Sequence, residues 1–358
     1  MPNYCLSWSG EENVSHPYST MTFTSVERIP YNSVVAMLNQ TKLFKIYFLI
    51  QKESLTFLLL ALFALGISTR ANAQQKRTTQ EESPTLRVNV DLVNVLFTVT
   101  EGNGRLIANL NKEDFLVEED GKKQQISYFS REVTLPLTLA ILIDTSPSVQ
   151  TILEIEKQTA VEFLSEVLHK EDLALVMNFD RSVSLLQDFT SDIRRLRKAI
   201  QSVAIGSGTS VHDAVFLAAD EKLKPETGRK AIILISDGGD TTSKLKIREA
   251  IEAAQRADVI IYAISNRSGI PMFGLGGDDG TLKRYAEATG GKAFFPSKAQ
   301  DFKKAFDAIQ EELRSQYIIT YNSTNTLKDG TYRLLKIGVP NNKNLKVRAK
   351  KGYYAAKS

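Results

Sequence analysis

Apolar residues recur along this chain with two different periods, and the change from one to the other divides it. From Leu86 to Val99 the repeat is close to two, which predicts a strand, because successive side chains leave opposite faces of an extended backbone. Shorter runs at Phe115 to Val117 and Gln125 to Phe129 flank Glu118-Glu119-Asp120-Gly121, where Asp-Gly suits the positive backbone angles of a tight hairpin. The carboxylates of Glu118, Glu119 and Asp120 read as a solvated hairpin tip.

Between Leu137 and about Ser315 short apolar runs alternate with amphipathic stretches. The runs predict strands over 137–143, 173–179, 183–189, 231–236, 259–265 and 292–295. The stretches predict helices over 149–168, 191–203, 211–223, 243–257, 280–289 and 299–314. Such alternation implies βαβ crossovers and an α/β fold, a doubly wound, mainly parallel sheet with helices on both faces. Only the three-residue turn Asp180-Arg181-Ser182 separates 183–189 from 173–179, so that strand is expected antiparallel, at an edge. After Arg314 strand periodicity returns at 316–321, 332–339 and 345–349. Neither strand block encloses much core alone, and the two are expected to pack together as a small β-sandwich-like domain.

The beginning of the chain differs in kind. Lys42, Lys45 and Lys52 precede the apolar run Leu55 to Ile67, and Ala71-Asn72-Ala73 offers small residues at both cleavage-determining positions. This reads as a secretory signal peptide cut after Ala73, the run being shorter than the roughly 20 residues of a spanning helix. A retained membrane anchor, lengthened by Leu43 to Ile50, is the alternative, and the only route by which a membrane enters the picture. The expected layout is a leader or mis-assigned start over 1–36 with Met37 as initiator, a signal peptide over 37–73 and a linker over 74–84. A β block over 85–133, an α/β domain over 134–315 and a second β block over 316–355 follow. Cys5, the only cysteine, precedes the signal segment, so export, to a periplasm or the medium, is expected without disulfides. The 45 basic and 41 acidic residues are dispersed to a net charge of +4, and no basic stripe argues for nucleic acid.

The chemistry sits in three loops. Asp144-Thr145-Ser146-Pro147-Ser148 follows the apolar run 137–143. Gly206-Ser207-Gly208-Thr209-Ser210 opens a helix, with Asp213 one turn on. Ser236-Asp237-Gly238-Gly239-Asp240 follows the apolar strand 231–235. In an open α/β sheet ligands sit at the carboxyl ends of parallel strands, the edge at which all three loops are expected. Singly, Ser or Thr before a helix is a cap and Asp-Gly after a strand is a turn. Together, in this order, Asp144, Ser146, Ser148, Thr209 and Asp237 resemble the metal-ion-dependent adhesion site of von Willebrand factor type A domains: Asp-x-Ser-x-Ser, a distant Thr, a distant Asp. The resemblance covers about Leu137 to Arg314. Flanking stretches such as Asp91 to Val95, Lys112 to Phe115, Glu119 to Gly121 and Leu313 to Tyr317 resemble bacterial exported "VWFA-related" proteins.

That resemblance implies Mg²⁺, or Mn²⁺ or Ca²⁺, held directly by the hydroxyls of Ser146 and Ser148, with Thr209 joining in some states. Asp144 and Asp237 would act through bound waters or hydrogen bonds. It also implies a protein partner that supplies a carboxylate, hence an adhesion-type binding module and not an enzyme. A metal-dependent hydrolase using Asp144, Asp237 and Asp240 is the enzymatic alternative, and a scaffold with a purely structural cation is a third reading. Outside the leader the only histidines are His169, expected at the surface near a helix end, and His212, shortly after Thr209. Gly274 to Gly280 has the glycine density of a phosphate loop but no lysine or strand-turn-helix setting, and reads as a connector before a helix capped by Asp278 and Asp279. Lys343, Lys346, Arg348, Lys350 and Lys351 read as a solvated strand face.

Overall fold

The computed structural model describes residues 92–131, 135–267 and 278–357. The leader, signal segment and linker expected over 1–84 lie outside them, as do the start of the first strand and most of the glycine-rich loop 274–280. All the described residues fall in one compact unit, Leu86–Ser358. Among them no helix is long and apolar enough to cross a membrane.

The α/β layer is a six-stranded sheet in the order β10-β9-β8-β5-β6-β7. Its strands are β5 (Leu137–Asp144), β6 (Leu173–Phe179), β7 (Val183–Thr190), β8 (Arg229–Ile235), β9 (Val259–Ile264) and β10 (Ala293–Phe294). All pairings are parallel except β6 with β7, which is antiparallel at the edge. Every residue of β5 is buried, as a continuous apolar run covered on both faces should be. Helices α1 (Leu153–Val167), α2 (Ile193–Gln201) and α6 (Ala299–Arg314) bury their apolar sides against one face. Helix α3 (Val211–Phe216, continued as a π-helical segment over Leu217–Leu223), α4 (Ile247–Arg256) and α5 (Asp279–Thr289) cover the other.

Two helices begin later than their periodicity predicts. Pro147–Val149 is a 3₁₀ turn ahead of α1, and the residues before α4 are drawn away by capping. The Asp213 carboxylate accepts the backbone N–H groups of Lys244 (3.0 Å) and Leu245 (3.0 Å).

The strands before and after this layer pair with each other. One antiparallel sheet has the order β13-β1-β11-β4 and a second β14-β12-β2-β3. Here β1 is Leu92–Glu101, β2 Leu116–Glu119, β3 Lys122–Gln124, β4 Ile126–Ser130, β11 Tyr317–Asn322, β12 Tyr332–Gly338, β13 Leu345–Ala349 and β14 Gly352–Tyr354. Their shared core holds Val95, Phe97, Phe115, Val117, Tyr317, Ile319 and Ile337. Phe97 stacks on Tyr317 with ring centroids 5.3 Å apart, and Phe115 meets both edge-on. The fold is therefore α/β with a mainly parallel sheet, flanked by antiparallel sheets built from both strand blocks.

Two expectations about charge are corrected here. The hairpin turn is present, with positive φ at Asp120 (48°) and Gly121 (78°). Glu119, however, is only 1% exposed. Its carboxylate accepts from Tyr321 (2.8 Å), Tyr353 (2.9 Å) and Ser323 (2.5 Å) and pairs with the buried Arg333 at 3.4 Å. Arg333 in turn donates to the carbonyls of Asn325 and Leu327, fixing the loop that leads into β12.

The basic C-terminal stretch is solvated only in part: Lys343, Lys346 and Lys351 are exposed, and Arg348 and Lys350 are half-buried. Arg348 pairs with the buried Glu312 of α6, Lys350 with Asp258 (2.6 Å) and Lys351 with Glu287 (2.9 Å). Of these, the Arg348 pair with the buried Glu312 does most to fasten the antiparallel sheets to the α/β layer.

Removing one partner of a buried ion pair strands the other charge, at about 3–5 kcal/mol. Arg333→Ala should therefore lower the urea-unfolding free energy by about that amount. Lys336→Ala, which removes the exposed partner of Glu118, should cost under about 1 kcal/mol. Similar losses from the two variants would show that the Glu119 network contributes no more than a surface pair.

Candidate metal-ion site

The three loops meet at the carboxyl edge of the sheet, where neighbouring strands β5 and β8 end. Asp144 closes β5 and is 0% exposed. One carboxylate oxygen accepts the Ser146 backbone N–H at 2.8 Å, and the other accepts the Ser236 hydroxyl at 2.6 Å. Ser236 follows β8, so this second bond ties the two strand ends together. Beyond Asp144 the hydroxyls of Ser146 and Ser148 lie 2.9 Å apart, and Ser148 donates to Asp237 Oδ2 at 3.1 Å. The other oxygen of Asp237 accepts the Gly239 N–H at 2.9 Å. Ser148 is exposed and Asp237 half-buried, while Ser146 is buried, so the row meets solvent at its Ser148 end.

Thr209 joins through its backbone. Its carbonyl accepts the N–H groups of Thr241 (2.9 Å) and Thr242 (3.0 Å), and its own N–H donates to Thr241 Oγ1 at 2.9 Å. Gly206 N–H donates to the Thr145 carbonyl at 2.8 Å, which ties the two loops directly. No hydrogen bond joins the Thr209 side chain to the other four residues among those described. Four of the five sequence-derived positions thus form one hydrogen-bonded chain, and the fifth is held beside it.

The remaining candidates are occupied elsewhere. Asp240 is exposed and accepts from Ser243 Oγ at 2.5 Å, a loop-closing contact. His212 Nδ1 lies 2.9 Å from the Tyr285 hydroxyl, on the α5 side, and burial lowers its pKa. His169 is exposed, its backbone N–H held by Asp172. Asp278 caps α5 through the Gly280 N–H and the Thr281 hydroxyl. Among the described residues no group of three or more His, Cys, Asp or Glu side chains gathers as a metal site. The oxygens at this edge are two carboxylates and neutral hydroxyls.

Geometry and donor chemistry fit a hard divalent cation. An octahedral ion with oxygen ligands at about 2.1 Å sets adjacent ligands about 3.0 Å apart. The spacings of Ser146 to Ser148 and Ser148 to Asp237, 2.9 and 3.1 Å, lie on either side of that value.

A second acid lies beneath. Glu156, on α1, is 0% exposed, and neither of its oxygens has a hydrogen-bond partner. The Asn266 side chain is equally buried and unpartnered; it lies near enough to favour the ionised acid slightly, yet outside hydrogen-bonding geometry. Burial, and then the Asp144 charge, push the Glu156 pKa well above its usual value. Sequence reading passed over Glu156, although it falls on the apolar stripe of its helix with Leu153, Ala160 and Phe163.

Asp144 itself is pushed up to about 6, chiefly by burial, against the opposing hydrogen bonds from Ser236 and Ser146. A folded-state pKa above the ordinary 3.8 means stability that is fully present below about pH 4 and lost as pH rises through about 6. The loss is roughly 3 kcal/mol at about 1.36 kcal/mol per pH unit. In chelator, urea unfolding should show this decline between pH 4 and 7, and Asp144→Asn should flatten that part of the slope. An unchanged slope in the variant would assign it to another group.

Residues 139–239 match the family model of the von Willebrand factor type A domain. Among solved structures the chain is similar to BatB of Bacteroides thetaiotaomicron, at 20% identity over 49% of this chain and 97% of that one, with a TM-score of 0.42. It is similar to the vWF domain of the type V pili tip protein Mfa5 of Porphyromonas gingivalis, at 16% identity over 51% and 96%, TM-score 0.42. A third likeness is to proximal thread matrix protein 1 of the mussel byssus, solved with a zinc-occupied MIDAS motif, at 16% identity over 55% and 50%, TM-score 0.46. Likeness at this level says nothing of what the present protein binds. The comparison with curated proteins gives no match.

Proposed function

We propose, for a chain that contains a von Willebrand factor type A domain, that it is an exported, adhesion-type binding module and not an enzyme. It uses a divalent cation, Mg²⁺ foremost, to engage an acidic group of a partner protein. The observation that carries the reading is the row of Ser146, Ser148 and Asp237 oxygens at 2.9 and 3.1 Å, reaching solvent at the exposed Ser148 and anchored on the buried Asp144. Export rests on the basic, apolar and small-residue sequence between Lys42 and Ala73.

The side chains divide the work. Ser148 offers a neutral hydroxyl toward solvent, and Ser146, buried behind it, a second. Asp144 and Asp237 accept hydrogen bonds that orient the loops carrying them, and Thr209 stands beside the row. Bound there, Mg²⁺ supplies a strongly polarising centre that prefers oxygen ligands and accepts an anionic one. Neutral donors compensate little of its charge, so a carboxylate from outside gains more than it would against a cluster of acids.

Isothermal titration of Mg²⁺ and Mn²⁺ into the purified protein at pH 7.5 should show one site. Ser146→Ala and Asp237→Ala should weaken it about tenfold or more, and Asp144→Ala should abolish it. Unaltered binding in all three variants would sink the assignment of these residues. A cation that raises the melting temperature while every partner complex persists in excess chelator would leave only a structural role for the ion.

A further inference from the structure

The binding edge is bordered on its β6 side by the turn Asp180-Arg181-Ser182. Phe179, the last residue of β6, lies in register with Asp144, and its carbonyl accepts the Thr145 N–H at 2.9 Å. The turn therefore starts one residue beyond the strand position that faces the anchoring carboxylate. Asp180 locks it in place: one oxygen accepts the Ser182 N–H at 2.9 Å and the other the Ser207 N–H at 3.2 Å.

Small residues let the turn come this close to the Thr209 loop. A Cβ at Gly206 would meet the Asp180 carboxylate at 1.9 Å, so this approach requires glycine, and the Arg181 Cα lies in ordinary contact range of Gly208, 3.6 Å from a Cβ built there. Arg181 is thus held against the loop that carries Thr209. It is exposed, and among the described residues it has no hydrogen bond or ion pair. Its acidic neighbour is already committed to backbone donors. On the opposite side, where β8 ends, the edge carries Asp237 and the exposed Asp240. Beyond Asp240 the exposed Lys244 and Lys246 lead into α4, while on the β6 side Arg181 is placed to attract an acidic group of a partner.

We infer that Arg181 is a specificity-determining contact that pairs with a second acidic group of the partner, next to the carboxylate that engages the cation. This rests on the cation-dependent reading above and adds to it a partner class: a segment with at least two neighbouring acids, oriented with the second toward the β6–β7 turn. A guanidinium suits the task because it stays charged and offers forked donors to a carboxylate.

The test uses labelled hexaglutamate, and a glycine-serine peptide with a single glutamate, followed by fluorescence polarisation in saturating Mg²⁺. Cation affinity is measured separately by titration. Arg181→Ala should leave Mg²⁺ affinity intact and weaken hexaglutamate about threefold to fivefold, with Arg181→Glu at about tenfold or more. The single-glutamate peptide should respond to Arg181→Ala by less than about twofold. Arg197→Ala, which removes an exposed charge midway along α2, should change neither peptide and so controls for net charge.

Equal hexaglutamate affinity in wild type and Arg181→Ala, with Mg²⁺ bound, overturns the inference. So does an equal loss in Arg197→Ala, or no peptide binding by magnesium-loaded wild type. All three leave the ion site standing. Failure of wild type to bind Mg²⁺ removes the ion site and this inference with it.

Discussion

A carboxylate sealed from water at the end of a parallel strand must be compensated, and the arrangement around Asp144 follows from how that is done. Desolvation disfavours its charge strongly enough to bring its pKa to about 6. Two bonds oppose that penalty, from the Ser146 N–H and the Ser236 hydroxyl. The first curls the chain after β5 so that Ser146 and Ser148 face one another. The second joins the end of β5 to the end of β8, which brings Asp237 to Ser148. The row of oxygens is thus a consequence of satisfying one buried acid, and a cation nearby would complete the compensation that two hydrogen bonds leave partial.

The antiparallel sheets follow the same rule with a different solution. Glu119 is buried without a cation site and is neutralised by Arg333, with Tyr321, Tyr353 and Ser323 satisfying its oxygens. Glu312 is buried at the junction with the α/β layer and is met by Arg348. In both places a trailing strand supplies the positive charge for an acid lying elsewhere in the chain, so the C-terminal strands hold the sheets together by charge as well as by the Phe97, Phe115 and Tyr317 core. Asp144 differs in having no basic partner among the described residues, which leaves its edge receptive to an ion.

Much of this was legible because periodicity reports burial. The continuous apolar run of β5, the alternation of β1 and the short β6–β7 turn each fix an element and its neighbours with little ambiguity. The Asp144, Ser146, Ser148 and Asp237 grouping was visible because each residue lies a fixed step beyond an apolar strand. What remained hidden were long-range pairings of charge. Glu119 sits in an acidic run that looks solvated, and only the fold brings Arg333, more than two hundred positions away, beside it. Arg348 and Lys350 alternate like a strand face, yet their partners, Glu312 and Asp258, lie far back in the chain. Glu156 was detectable in principle, as a polar residue on an apolar helical stripe. The short strand β14 carries too few residues to declare a period. The role inferred for Arg181 depends on the approach of two loops that sequence spacing does not encode.

The central claim is that one cation sits on the Ser146 and Ser148 hydroxyls above Asp144. The most direct measurement is anomalous diffraction from crystals of the protein grown with Mn²⁺. A single anomalous peak within bonding distance of both serine oxygens, about 2.1–2.3 Å, is the expected result. Manganese absent from that edge at saturating concentration, or bound only elsewhere on the molecule, would contradict it.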